Sequence, residues 1–348
     1  CYLHPIFIIA VAVLTLVPTP RAGASTGRAS KLLELARQEF GTLTKAEEKL
    51  FRAVAEGKPA DYRAKEEKDN DPAFAEKWGN DRAINSSRIA WLCTDLKAIK
   101  LVDHKGILVK GARFEGNLLL PRAKIPFPLI FRKCAFLGSV DLRNAVIRSL
   151  ILTGTHTKLI LASLMEVKEH VILARGFKAV GGVNLVGSKI DGFLDCSNGQ
   201  FINKGKIALN AEQLKVEKSV LFTDGFLAQG EVSFVGAEVR GRFMWIKISS
   251  PADLILDLQY AKIHALEDDY TSWPLEGKLF LFGLVYNILE PKELFEPQTR
   301  LEWLRRQPAS YFRNQPYQQL AKVFRNNGRD DYAQQILIAK NQDRGRFT

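Results

Sequence analysis

Apolar and polar positions in the middle of the chain recur with a period of eleven. Counting from Ala112, the residues Ala112, Ala123, Cys134 and Ala145 share one position, and Phe114, Ile125, Phe136 and Ile147 fall two residues later. Leu118, Leu129, Val140 and Ile151 form the next slot, and Leu120, Phe131 and Leu142 the one after it. Apolar residues two apart point to the same side of a strand, so the pattern predicts short strands with one face inward. Identical slots stacked coil upon coil give ladders of like side chains along one core, as in a solenoid. Two units predict a coil of about 22 residues, within the range of such repeats. The small residue marks where the chain bends inward and a larger side chain finds no room.

Further on, the repeat lengthens to 49. Val167, Val171, Gly176-Phe177, Val183, Leu185, Gly187, Ile190 and Gly192 match Val216, Val220, Gly225-Phe226, Val232, Phe234, Gly236, Val239 and Gly241. Leu194 then aligns with Phe243 and Cys196 with Trp245. Each unit is about two coils, with an inserted loop at 198–208. Two more strands are expected at 254–258 and 279–284.

The ends have helical spacing instead. Residues 30–55 carry Leu32, Leu33, Leu35, Ala36, Leu43, Ala46, Leu50, Phe51 and Val54, with Thr44 and Glu47 placed as a capping box. A polar stretch follows over 56–81, turning at Asp69-Asn70-Asp71-Pro72, and a second helix is predicted over 84–93. Helices are predicted over 300–306 and 316–340, and within the second, Tyr317, Leu320, Ala321 and Phe324, then Gly328, then Tyr332, Ala333 and Ile336 resemble a single tetratricopeptide-type hairpin. Helical ends suit a solenoid, whose open ends expose unpaired backbone groups. The fold class is therefore mainly β: a single-stranded β-solenoid, or parallel β-helix, with α-helical caps at both termini. The boundaries are 1–24 for a leader, 25–104 for a helical N-terminal module, 105–290 for the solenoid and 291–348 for the C-terminal cap.

Several segments carry a family resemblance. They are Gly106-Ile107 through Gly111-Ala112-Arg113-Phe114-Glu115-Gly116, Ile125-Pro126-Phe127-Pro128-Leu129, and 187–192 leading into Leu194-Asp195-Cys196. Ser272-Trp273-Pro274, Pro316-Tyr317-Gln318-Gln319-Leu320 and Ile336-Leu337-Ile338-Ala339-Lys340 add to them. Over roughly 60–345 the chain resembles a group of bacterial pentapeptide-repeat-like proteins. The resemblance implies the solenoid and carries no activity. Some members of the group continue into transmembrane helices or are labelled membrane-associated oxidoreductases, but no cofactor motif stands in this sequence to match.

The leader reading rests on 6–17, apolar apart from Thr15, followed by Pro18, Pro20 and the cleavage-like Ala22-Gly23-Ala24. About twelve apolar residues fall short of the roughly twenty a membrane span needs. The expected location is therefore exported, periplasmic or cell-envelope, with an uncleaved N-terminal anchor as the alternative. Because the chain opens on Cys1 and not Met, a basic n-region is expected upstream. Three cysteines lie past this leader, Cys93, Cys134 and Cys196, without CxxC spacing, so no disulfide framework is expected.

Across 348 residues the net charge is +12, which favours contact with anionic surfaces. Residues 300–348 hold ten Lys or Arg against four Asp or Glu, whereas 28–82 hold twelve of each. Arg305, Arg306, Arg313, Lys322, Arg325 and Arg329 are the candidate contacts for an anionic partner, with Trp303, Tyr311, Phe312 and Tyr317 among them. That partner is a protein, a glycan or an anionic lipid surface, the last by peripheral membrane association. An export signal argues against nucleic acid, and the positive charge argues against DNA mimicry.

Nucleotide fingerprints, a nucleophile elbow and metal-ligand spacing are all missing from the sequence, and no cofactor is expected. His4, His104, His156, His170 and His264 are scattered. The alternative to a non-enzymatic scaffold is a glycan-active or glycan-binding β-helix, which needs outward carboxylates grouped on one face. Asp141, Asp191 and Asp195 are the candidates, with Glu267, Asp268 and Asp269 on the last turn. Asp141 lies between inward Val140 and Leu142 and Asp195 between Leu194 and Cys196, so both should point outward.

Overall fold

The structure, a computed structural model, describes residues 22–291 and 296–347. Between Ile107 and Glu290 the chain winds a parallel β-solenoid of about eight turns. Each coil has four short strand segments, which we number as faces in chain order. In the first coil these are Ile107–Lys110, Arg113–Glu115, Leu118–Leu119 and Lys124–Ile125. Faces one and four belong to one sheet, faces two and three to the other.

The predicted ladders form the core. Phe114 lies over Phe136 on the second face, with ring centroids 4.6 Å apart. Leu118, Val140 and Ile160 align on the third face, and Ile125, Ile147 and Val167 on the fourth. The eleven-residue step has a backbone cause. Gly111, Arg122, Lys133 and Asn144 adopt left-handed conformations, with φ of 66°, 61°, 49° and 57°. Each turns the chain at a corner just before the small residue of the repeat.

One slot of the register is corrected. Leu129 aligns with Leu150, not with Ile151, because this coil is one residue shorter than the one before it. Leu150 is therefore buried and Ile151 points outward. A one-residue slip reverses every side chain on a strand, so the distinction decides what the surface shows.

The 49-residue repeat corresponds to two coils, as Val167, Ile190, Val216 and Val239 align in succession. Its glycines answer a packing need. Gly187 has φ +65°, and a Cβ there would meet Leu164 Cδ2 of the preceding coil at 2.8 Å. The segment read as a loop at 198–208 is instead largely a bulged strand, Gln200–Asn210, paired in register at both of its ends.

At the N-terminal end, α1 (Ala22–Phe40) and α2 (Lys45–Glu56) are separate helices joined through Gly41. The Thr44–Glu47 capping box is present, with bonds of 3.1 and 3.0 Å. The predicted leader lies outside the described residues, except for 22–24, which open α1. The module at 25–104 is not wholly helical: β1 (Ala60–Asp61) and β2 (Ala83–Asn85) extend the two sheets by pairing with the first coil. Ile84 thus lies in β2, and α3 (Ser86–Thr94) starts after it with Asn85 as its cap. At the other end stand α4 (Pro297–Leu304) and a hairpin of α5 (Asn314–Asn326) and α6 (Asp330–Phe347). Gln315 on α5 accepts from Gly283 N–H at 2.8 Å and donates to Leu284 O at 3.0 Å, while Gln319 donates to Tyr286 O at 2.6 Å. Two glutamines one turn apart thereby satisfy backbone groups that the last coil leaves open.

Candidate functional site

Two of the three outward aspartates on which the enzyme reading relied, Asp141 and Asp195, are turn-formers. Asp141, Asn184, Asn210 and Asp257 occupy one column of the third face. Each accepts the N–H two residues on, at 3.1, 3.0, 3.1 and 2.9 Å. Such Asx turns start the bend into the left-handed corner. Asp141 is 5% exposed under the Arg143 guanidinium, whose hydrogen bonds hold its carboxyl below the usual carboxylate range against the effect of burial. Asp195 makes the same turn to Ser197 N–H, at 2.9 Å, on the first face. Asp191 lies near Lys189 and Lys168, at 3.3 and 3.9 Å, past the fourth face. These three candidates stand on different faces of different coils and form no group.

The acidic triplet divides three ways. Glu267 pairs with Arg242 at 3.3 Å. Asp269 caps the turn at Tyr270–Ser272 by accepting from Ser272 N–H at 2.9 Å. Asp268 is not a turn residue: it points inward, directly over Trp245 in the core column, and is 2% exposed. Arg300, 0% exposed, donates to both of its oxygens at 3.0 and 2.8 Å, and Trp273 Nε1 donates at 2.9 Å. This buried pair ties α4 to the last coil. Sequence reading missed Arg300 because nothing near it in the chain announces its partner.

The basic residues of the C-terminal cap are only partly free for a partner. Arg305 is held by Asp343 at 2.9 and 3.1 Å, which also accepts from Tyr317 OH at 3.0 Å. Arg306 donates to Pro274 O at 3.0 Å, and Arg313 lies over the Phe282 ring. Arg329 stacks on Tyr332 and faces Asp331 at 3.4 Å. Lys322 and Arg325 are exposed on α5 and make no ion pair among the described residues.

A groove of about 590 Å³ on the later coils brings together residues that the sequence had not singled out. It is built on the bulge in Gln200–Asn210: from Ile202 to Ile207 this strand takes five steps against two, from Gln229 to Glu231, on the next coil. Asn203 Nδ2 donates to Ile207 O at 2.8 Å and closes the bulge. Gly230, with φ +126°, lies beneath it, and a Cβ there would fall 2.5 Å from Lys206 O. Only glycine fits so close an approach in that conformation. Lys204, Lys206 and Ile207 form one wall, Gln229 and Glu231 the floor, and Asp253, Ile255 and Lys278 the far side.

Lys204, Lys206 and Glu231 make no ion pair among the described residues, although they line the same groove. Lys278 Nζ donates to Ala252 O at 2.5 Å. Burial, then the nearby Asp257 and Glu212 carboxylates, pushes the Glu231 carboxyl up, and burial does the same to Asp257 against hydrogen bonds from Gln259. The arrangement offers ammonium donors, carboxyl groups and two isoleucines to one elongated, polar ligand. The only sign of it in the sequence is the insertion around 203–206.

The three described cysteines are free and buried. Burial pushes the Cys134 thiol up to about 12, so it is unreactive. Among the described residues there is no group of metal-binding side chains and no helix long and apolar enough to cross a membrane. The chain matches no protein-family model, no curated protein and no solved structure. What the fold defines is the class: a helix-capped parallel β-solenoid.

Proposed function

We propose that this protein is a non-enzymatic binding scaffold whose partner is an anionic glycan held in the groove between Lys204, Lys206 and Lys278. The observation that carries the reading is that these lysines surround a groove built on an insertion, with Lys204 and Lys206 lacking any carboxylate partner among the described residues. Elsewhere on the solenoid, cations such as Arg143, Arg148 and Arg240 are neutralised by neighbouring carboxylates. Lys322 and Arg325 on α5 supply a second cationic spot for a long polyanion. The apolar stretch at 6–17 and Ala22-Gly23-Ala24 support an exported protein of the bacterial envelope. Coils of 21 to 23 residues, such as those from Leu129 to Leu150 and from Val171 to Leu194, support the pentapeptide-repeat-like reading.

The test is binding of a fluorescent dextran sulfate oligomer at low and high salt. Exposed ion pairs contribute about 0.5–1 kcal/mol each, so Lys204→Gln, Lys206→Gln and Lys278→Gln together should weaken binding roughly tenfold or more. Added salt should weaken the wild type in the same direction. Unchanged affinity in the triple variant would remove the groove from the reading.

A glycan-cleaving activity is the second reading, favoured by the raised carboxyls of Glu231 and Asp257 on adjacent coils. Turnover of a uronate polysaccharide that disappears in Glu231→Gln would establish it over the scaffold.

A further inference from the structure

Taking the groove as the glycan site proposed above, we infer that it holds an extended, unbranched uronate chain along the solenoid axis, one sugar ring to each of coils five to eight. Four outward side chains of the third face stand there in one column: Ile207, Glu231, Ile255 and Lys278. Ile207 aligns with Glu231 and Glu231 with Ile255, while Lys278 precedes Leu279, the partner of Leu256. All four line the groove and all are half-buried. Neighbouring strands lie about 4.8 Å apart, so the column is about 14 Å from first to last. A glycan linked through equatorial bonds advances by about one strand spacing per ring. Rings and coils therefore stay in step.

Volume gives the same count. A cavity of about 150 Å³ holds one six-membered ring, so a groove of about 590 Å³ holds about four. The chemistry of the column alternates. Ile207 and Ile255 present apolar surface to the C–H faces of the first and third rings. Glu231, between them, accepts from ring hydroxyls, and Gln229 and Asp253 add polar groups at the side of the column. Three lysines against two carboxylates leave the lining net positive. Those lysines stand at the two ends: Lys204 and Lys206 on the bulge beside Ile207, and Lys278 on the last coil. Lys278 Nζ gives one N–H to Ala252 O, which leaves two donors for a ligand carboxylate. A chain along the solenoid axis meets both ends, with uronate carboxylates on its first and fourth rings. A chain laid along a strand would meet one end only.

A length series tests this: oligomannuronates of two to six residues, titrated calorimetrically into the full chain at low salt. Affinity should gain about fivefold or more from three residues to four, where the chain first reaches Lys278, and about twofold or less per residue beyond four. Lys278→Gln should abolish the gain from three to four, with unchanged circular dichroism. It should leave the dimer unaffected, because the dimer settles at the two-lysine end. An affinity that climbs by equal steps through six residues overturns the inference, as does a Lys278→Gln protein that loses as much affinity for the dimer as for the tetramer. In both of those cases the groove stays the binding site if Lys204→Gln, Lys206→Gln and Lys278→Gln together still weaken dextran sulfate. A triple variant with wild-type affinity removes the groove and the inference together. An oligothymidylate of equal charge, whose phosphates are spaced more widely than the strands, should bind more weakly than the uronate tetramer. Equal binding overturns the fit of one ring to one coil.

Discussion

The first coils and the last ones solve the same stacking problem differently. From Ile107 to Val171 the ladder advances by 22, 21 and 21 residues, and the inner columns of the first face are mostly aliphatic: Ile107, Leu129, Leu150 and Val171. Beyond Val171 the steps are 23, 26, 23 and 23, through Leu194, Val220, Phe243 and Leu266. There the aromatic part of the core grows from the Phe114, Phe131 and Phe136 group of the first coils to Phe222, Phe226, Phe234, Phe243 and Trp245, linked by ring contacts. What the later coils gain in length they place outside. The bulge at 203–206 leaves Ile202 paired with Gln229 and Asn210 with Ser233, so the inward register survives on either side of it. The lesson is that a solenoid tolerates insertion on its outer surface and almost none in its inner columns. The groove accordingly lies in the irregular half.

This contrast can be broken most severely from within. Leu142 is 0% exposed in the regular half. Leu142→Asp removes roughly 1.5–3 kcal/mol of burial and adds the several-kcal/mol penalty of an unpaired buried charge. The variant should fail to fold cooperatively by thermal and urea denaturation, whereas Asp141→Asn, which keeps the acceptor for Arg143 N–H, should melt near wild type. A Leu142→Asp protein that melts like wild type would mean the inner columns are not what holds the coils.

The next effect is local to the irregular end. Asp268→Ala leaves Arg300 buried without its carboxylate, a change that costs about 3–5 kcal/mol in comparable pairs. Hydrogen exchange should show α4 and the last coil losing protection while the first coils keep theirs. Uniform loss along the whole solenoid would mean the two halves unfold as one unit.

The smallest effect concerns the groove and sharpens the comparison by pH. The Glu231 carboxyl titrates above the ordinary 4.5 of a glutamate. As pH falls from neutral through that raised value the group becomes neutral, which removes a negative charge from the groove. Dextran sulfate keeps its own charge over this range, so its affinity should rise as pH falls, by a few-fold at most. Glu231→Gln should bind as tightly at neutral pH as at acid pH, and a variant that retains the wild-type pH slope would assign it to another group.

The sequence made much of this legible. The eleven-residue slots located the core columns, and the capping box at Thr44 and Glu47 located the start of α2. Ile151 was misplaced because one coil is a residue shorter, and an apolar residue looks the same on either side of a half-buried strand. Asp195 read correctly as outward, but its bond to Ser197 N–H is a local turn that composition does not distinguish from a catalytic carboxylate. The short strand β1 was hidden in the polar stretch and β2 ran into the predicted helix, since their pairing partners lie about thirty to fifty residues away.

By itself, then, the sequence determined the features that depend on neighbours along the chain: the coil period, most of the inward columns and the capping box of α2. Tertiary stacking decided everything that depends on neighbours across coils. Lys204, Glu231, Asp253 and Lys278 share one groove because each coil lays residues some twenty-odd positions apart beside one another. Asp268 is buried because Arg300 arrives from a helix thirty-two residues on. A chain's local preferences fix where each residue points within its own coil. Only the closed, stacked structure fixes which residue meets it from the next one.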